Sequence, residues 1–187
     1  RYRSLLPVWG VESRYADDVG DTPTIRPGRL GDRLDVELHI KQEGGNPSGS
    51  FKDRGLAVGV ALGLATGAER FCLPTQGNAG VAASLFSARA GIDPPLLYMP
   101  VGHRDSVYHR GAALFGAEVR FVGDTIADAG KAMRSDVAAD LASGRFRDLS
   151  TFFEPGRLEG KKTMGLEIYE QFGNELMART DVSMIAN

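Results

Sequence analysis

A chain of 187 residues, 42% hydrophobic and 25% charged, is long enough to bury a proper core and has the composition of an ordinary globular protein. Its net charge of −2 gives no basis for a nucleic-acid or anionic-membrane partner. No segment reaches the roughly 18 consecutive apolar residues of a membrane helix, the first ten residues lack a signal-peptide core, and one cysteine, Cys72, allows no internal disulfide. Cys72 reads as a buried thiol in a reducing compartment, which makes the cytoplasm the expected location.

In chain order, Val36 to Gln42 alternates like a strand, and a helix is expected from Lys52 to about Gly67. Arg70 to Pro74 is a buried strand, Asn78 to Gly91 a helix with a glycine cap, and Pro95 to Pro100 another strand. A helix from about Ser106 to Phe115 precedes the strand Ala117 to Val122. One long helix, Ile126 to Leu141, precedes a short strand near Phe146 to Leu149. Gly160 to Phe172 reads as helix, and Val182 to Ala186 as the start of a further strand. Strands alternating with helices imply an α/β fold of parallel sheets with helices on both faces.

The stretch Asn46 to Gly55, NPSGSFKDRG, carries the sharpest chemical signal. A Pro/Gly-rich turn delivers Lys52 to the first turn of a helix, with Ser50 and Asp53 at capping-box spacing. The positive end of the helix dipole and nearby Arg54 both disfavour the ammonium form, and so favour a nucleophilic amine able to form a Schiff base with a carbonyl cofactor. A plain surface lysine in a glycine-rich turn is the alternative. Thr75-Gln-Gly-Asn-Ala-Gly80 follows a strand and opens a helix, so its amides face a crevice, although taken by itself an ordinary turn with Asn78 as N-cap is the preferred reading. Arg157, in EPGRLEGKK, suits phosphate recognition with Lys161 and Lys162 close by; the alternative is a solvated cluster paired with Glu159. His39, His103 and His109 lack metal-ligand spacing, so no metal site is expected. Lys41 and Glu43 are assigned a structural role.

NPSGSFKDRG resembles the cofactor-lysine motif of the fold-type II pyridoxal-phosphate enzymes, and among them the threonine synthases. Arg3 to Val8, Gly20 to Leu30, Gly77 to Gly80 and Glu154 to Gly165 are similar to segments of that family in the same order. The resemblance covers nearly the whole chain. It implies a tryptophan synthase β-like α/β fold, with residues 1–71 and 153–187 in a larger cofactor domain and 72–152 in a smaller inserted one. It implies pyridoxal 5'-phosphate on Lys52 as catalytic residue, with Asn78 at the cofactor's ring hydroxyl. Thr75, Gln76, Gly77 and Ala79 would bind the substrate carboxylate and Arg157 its phosphate.

The implied reaction converts O-phospho-L-homoserine and water to L-threonine and phosphate, with a small-molecule substrate as partner and room for a homodimer. The family's glycine-rich loop for the cofactor phosphate and its residue for the pyridine nitrogen lie beyond the segment matching Asp181-Val182. The fold is therefore expected to be incomplete at its carboxyl end. Many relatives carry hydroxyls where this chain has Gln76 and Ala79, and Tyr where it has Gly156, which suggests a looser backbone there. Two alternatives stay open: a cysteate synthase-like or dehydratase-like relative, and a truncated, non-catalytic remnant acting as a binding domain.

Overall fold

The computed structural model of the chain describes residues 2–8 and 16–179. The expected strand at Val182 to Ala186 lies outside them.

A short antiparallel pair comes first, β1 (Thr24–Ile25) with β2 (Ile40–Lys41), and the helix α1 (Gly28–Leu34) lies between them. The strand expected over Val36 to Gln42 shrinks to two residues. Pro27, just past β1, has no N–H with which to extend the ladder, and Val36 is left half exposed.

Next come α2 (Lys52–Ala65), β3 (Arg70–Pro74), α3 (Asn78–Arg89), β4 (Leu96–Met99), α4 (Val107–Leu114) and β5 (Glu118–Phe121). They are followed by α5 (Ile126–Asp136), α6 (Ala138–Ala142), β6 (Phe146–Asp148) and α7 (Pro155–Arg179). The four strands β5-β4-β3-β6 form one parallel sheet, with Cys72 opposite Leu96 and Arg70 opposite Phe146.

Strand alternation sorts the core into two layers. Phe71, Leu73, Leu97 and Met99 face α2, α3 and α4, packing with Leu56, Val60, Ala82, Phe86 and Ala112. Cys72, Leu96 and Tyr98 face the opposite way, onto Ala129 and Met133 of α5 and onto Val137. Both faces of the sheet are therefore covered, which is why every residue of β4 is apolar and buried. Cys72 is fully buried, and burial pushes its thiol up to about 12. The domain boundary drawn at 71/72 falls within β3.

Two expected helices differ. The long helix over Ile126 to Leu141 breaks at Val137, whose backbone leaves the helical region (φ −110°, ψ 23°) while its β-branched side chain packs with Met133 and Phe146. The last helix starts at Pro155 rather than Gly160, because a proline's fixed φ and missing N–H suit the first helical position. It is interrupted at Gly173 (φ 64°, ψ −164°).

α7 runs antiparallel along α2 at very close range, and glycines make that possible. A Cβ on Gly55 would lie 2.7 Å from the Arg157 carbonyl oxygen, and one on Gly160 would overlap the Arg54 carbonyl. Gly156 belongs to the same seam, where a Cβ would lie 3.0 Å from the Gly59 Cα, so the backbone expected to be loose there is tightly packed.

Candidate active site

The turn leading to Lys52 is held from several sides. Asn46 is buried, donating to the Glu43 carbonyl at 2.8 Å and accepting from the Gly20 amide at 3.0 Å. Gly49 takes a left-handed conformation (φ +83°) that favours glycine. The expected capping box does not form. The Ser50 hydroxyl accepts from the Lys52 amide at 3.2 Å, but Asp53 reaches past Ser50 to accept from the Ser48 amide at 2.6 Å and from the Ser48 hydroxyl. The carboxylate thus ties the helix to the turn instead of closing on the cap residue.

Lys52 begins α2, half buried, with Nζ 3.9 Å from the centroid of the Phe51 ring. Burial brings its pKa down to about 8, with further lowering from Lys161 and then Arg157. Arg54 was expected to contribute and does not. Its guanidinium is enclosed, donating to Glu43 (2.6 and 2.8 Å), Glu167 (2.8 Å), Thr163 (3.0 Å) and Thr22 (3.1 Å). Lys41 adds an ion pair to Glu167 at 2.9 Å. This cluster joins β2, α2 and α7, so Lys41, Glu43 and Arg54 all serve as bracing.

The Thr75 to Gly80 loop leaves the carboxyl end of β3. Thr75 is 2% exposed, and its hydroxyl accepts from the Gly80 amide at 3.1 Å and the Gly77 amide at 3.3 Å. The hydroxyl therefore caps α3 from outside the helix, while Gly77, in extended conformation, occupies the cap position that Asn78 was read to hold. Asn78 opens α3, half buried, and Gln76 is exposed. The amides of Gln76, Asn78 and Ala79 have no intramolecular partner among the described residues. The loop presents backbone donors and the Asn78 amide, with Thr75 engaged internally.

Arg157 is 4% exposed. Its Nη1 donates to the Leu149 carbonyl at 2.7 Å, and its buried Nε has no partner. Burial lowers its pKa, against the pull of Asp148 and Glu154. Glu159 pairs with Lys162, which is exposed, and not with Arg157. Lys161, one helical turn beyond Arg157, points inward instead, its Nζ 5.8 Å from the Phe51 ring centroid. Sequence reasoning treated the two lysines alike. Once α7 is known to start at Pro155, the i, i+4 spacing puts Lys161 and not Lys162 on the Arg157 stripe.

Lys52, Lys161 and Arg157 thus form one cationic group. The loop lies at the same end of the molecule. Arg147 sits against Gly63 and Leu149 against Gly59, so β6 runs toward the α2 N-terminus, and β3 is parallel to β6. Among the described residues no cluster of His, Cys, Asp or Glu could hold a metal ion, and no helix is long and apolar enough to cross a membrane.

Comparison with known proteins identifies the family. Residues 15–183 match the family model described as pyridoxal-phosphate dependent enzyme. The chain belongs to that family. It is 34% identical over 172 residues to a threonine synthase of Methanosarcina acetivorans, covering 91% of this chain and 40% of that protein. It is 33% identical over 183 residues to a threonine synthase of Methanocaldococcus jannaschii, covering 97% and 44%. The chain thus spans less than half the length of these two relatives. A solved cysteine synthase of Entamoeba histolytica superposes with a TM-score of 0.74 at 21% identity, over 91% of this chain and 52% of that one. That likeness shows the fold, which is fold-type II.

The residues fit the family's cofactor. A half-buried amine of lowered pKa suits an aldehyde, and open amides at a helix start together with a buried guanidinium whose Nε has no partner suit a phosphorylated anion.

Proposed function

We propose that the protein carrying this chain is a pyridoxal-phosphate-dependent lyase of threonine biosynthesis, acting on O-phospho-L-homoserine and water to give L-threonine and phosphate. The observation that carries this reading is the buried, unpartnered Nε of Arg157 beside Lys52, a site for a substrate phosphate. Its similarity to threonine synthases at 33–34% identity supports the choice of substrate. A cytoplasmic setting agrees with the single thiol.

Lys52 would hold the cofactor's aldehyde carbon and Asn78 its ring hydroxyl. When bound, the cofactor supplies an electron-poor ring that stabilises negative charge at the substrate's Cα. A pKa of about 8 leaves Lys52 partly neutral near physiological pH, so the same amine can take and return protons at Cα and Cβ. The open amides of Gln76, Asn78 and Ala79, with Gly77 allowing close approach, would hold the substrate carboxylate. Thr75 acts by positioning that loop. Arg157 would hold the phosphate as it leaves Cγ with the bonding electron pair. Water adds at Cβ, and a proton is delivered to Cγ.

A second reading, a related β-replacement or elimination enzyme of the cysteate synthase-like or dehydratase-like kind, is favoured by the lack of hydroxyls at Gln76 and Ala79. Assaying O-phospho-L-homoserine, O-phospho-L-serine and L-threonine side by side separates them. Phosphate release with threonine formation from the first alone is expected, and Arg157→Ala should lower that turnover by about two orders of magnitude. Turnover of L-threonine or phosphoserine in its place would overturn the assignment.

A further inference from the structure

Lys161 is given no ligand of its own in the proposed function, yet its placement is unusual. Arg157 and Lys161 lie four residues apart, on the stripe of α7 that meets α2 at Gly55. Arg157 is nearly fully buried and Lys161 partly so. Neither has an ion-pair partner among the described residues, because each nearby acid is engaged elsewhere. Asp148 is paired with Arg134 at 3.2 Å and accepts from the Ser150 amide at 2.8 Å. Glu154 is paired with Arg147 and accepts from the Gly156 amide at 2.7 Å, and Glu159 is paired with Lys162.

Two cations withdrawn from water without an ion-pair partner of their own are costly, and more so beside a third, Lys52; the field of Asp148 and Glu154 offsets the cost at Arg157 only in part. Phe51 holds the two lysines toward one another, its ring facing both ammonium groups. The unpartnered Nε of Arg157 is the independent sign that a bound acceptor belongs here.

We propose that Lys161 and Arg157 together form a two-cation receptor for a phosphate dianion beside Lys52, and that Lys161 makes this receptor prefer a dianion to a monoanion. The proposal rests on the reading of Arg157 as a phosphate ligand and adds the second charge. Arg157 supplies the planar donors, Lys161 a compact charge on a flexible stem. Lys162 takes no part. The phosphate has two possible sources, the substrate and the cofactor, and the test separates them.

The experiment is isothermal titration of the full-length protein with inorganic phosphate and with methanesulfonate, a monoanion, at pH 8. The cofactor is first fixed in place by borohydride reduction. Phosphate affinity should fall about tenfold in Lys161→Gln, as expected for one lost charge-assisted contact. It should be retained in Lys161→Arg and unchanged in Lys162→Gln, and methanesulfonate affinity should move little. Equal phosphate affinity in Lys161→Gln and the parent overturns the proposal, as does an equal loss in Lys162→Gln. If Arg157→Ala alone weakens binding, the two-cation receptor falls and Arg157's own role stands. If phosphate binds only to cofactor-free protein and still depends on Lys161, the receptor stands with the cofactor phosphate as occupant. The substrate role given to Arg157 then falls.

Discussion

Lys52 and Lys161, 109 positions apart in sequence, direct their ammonium groups at the same Phe51 ring, at 3.9 and 5.8 Å from its centroid. The consequence is electrostatic. Each like charge near Lys52 raises the free energy of its protonated form, on top of the burial that acts first.

In the cofactor-free protein, the Lys52 amine should therefore titrate near pH 8. Its reaction with an amine-directed reagent should rise through that pH and level off above it, because only the neutral form attacks. Removing a neighbouring cation relieves the repulsion, so Lys161→Gln should move the midpoint upward, toward the ordinary lysine value. A mass-spectrometric rate profile for the Lys52 peptide measures this. An unmoved midpoint would remove Lys161 from the site's electrostatics.

The glycine seam makes a contrast within one helix. Gly160→Ala should destabilise the fold by about 1–3 kcal/mol or more, because its Cβ would overlap the Arg54 backbone, which cannot yield as a side chain tip can. Gly165 has open space around it, so Gly165→Ala should gain up to ~1 kcal/mol from helix propensity. Urea unfolding of both variants reads the difference.

Thr75→Val keeps the shape and removes the hydroxyl that receives the Gly80 and Gly77 amides. A loss of about 1 kcal/mol, the usual cost of a missing helix cap, is expected, with Thr75→Ser close to the parent. Amide exchange at Gly80 should speed up in the valine variant alone.

Arg54→Ala leaves Glu43 and Glu167 enclosed without their guanidinium, at a cost of about 3–5 kcal/mol at neutral pH. In the parent, the hydrogen bonds of Arg54, the Asp21 amide and Lys41 outweigh burial and bring Glu167 to about 2. This lowered pKa stabilises the fold above the ordinary glutamate value, and the contribution disappears as pH falls toward 2. In the variant those acids take up protons more readily, so its deficit against the parent should shrink between pH 7 and pH 4. Thermal melts across that range test the sign.

How much was legible in the sequence follows from where each residue's partners lie. β3, α3, β4, α4 and β5 match expectation within one or two residues, because apolar runs bounded by Gly, Pro and Ser are local signals, and Ser106 caps α4 through its own hydroxyl. The start of α7 was hidden because Gly156 and Gly160 weaken a helical reading, and only the contact with α2 explains why glycine stands there. Arg54 was misplaced for a similar reason. Its position beside Lys52 suggested an electrostatic effect on the lysine, but its partners Glu43, Thr163 and Glu167 come from β2's flank and from α7. The place of Lys52 at a helix start was readable from its turn, and the identity of the cation that acts on it was not.

The central assignment is that Lys52 carries the cofactor. Full-length protein loaded with pyridoxal phosphate, reduced with borohydride and digested, should yield one modified peptide, with the cofactor on the Lys52 Nζ. The cofactor's visible absorption band should be absent from Lys52→Ala. Modification at another lysine, or an unchanged band in Lys52→Ala, would contradict the assignment.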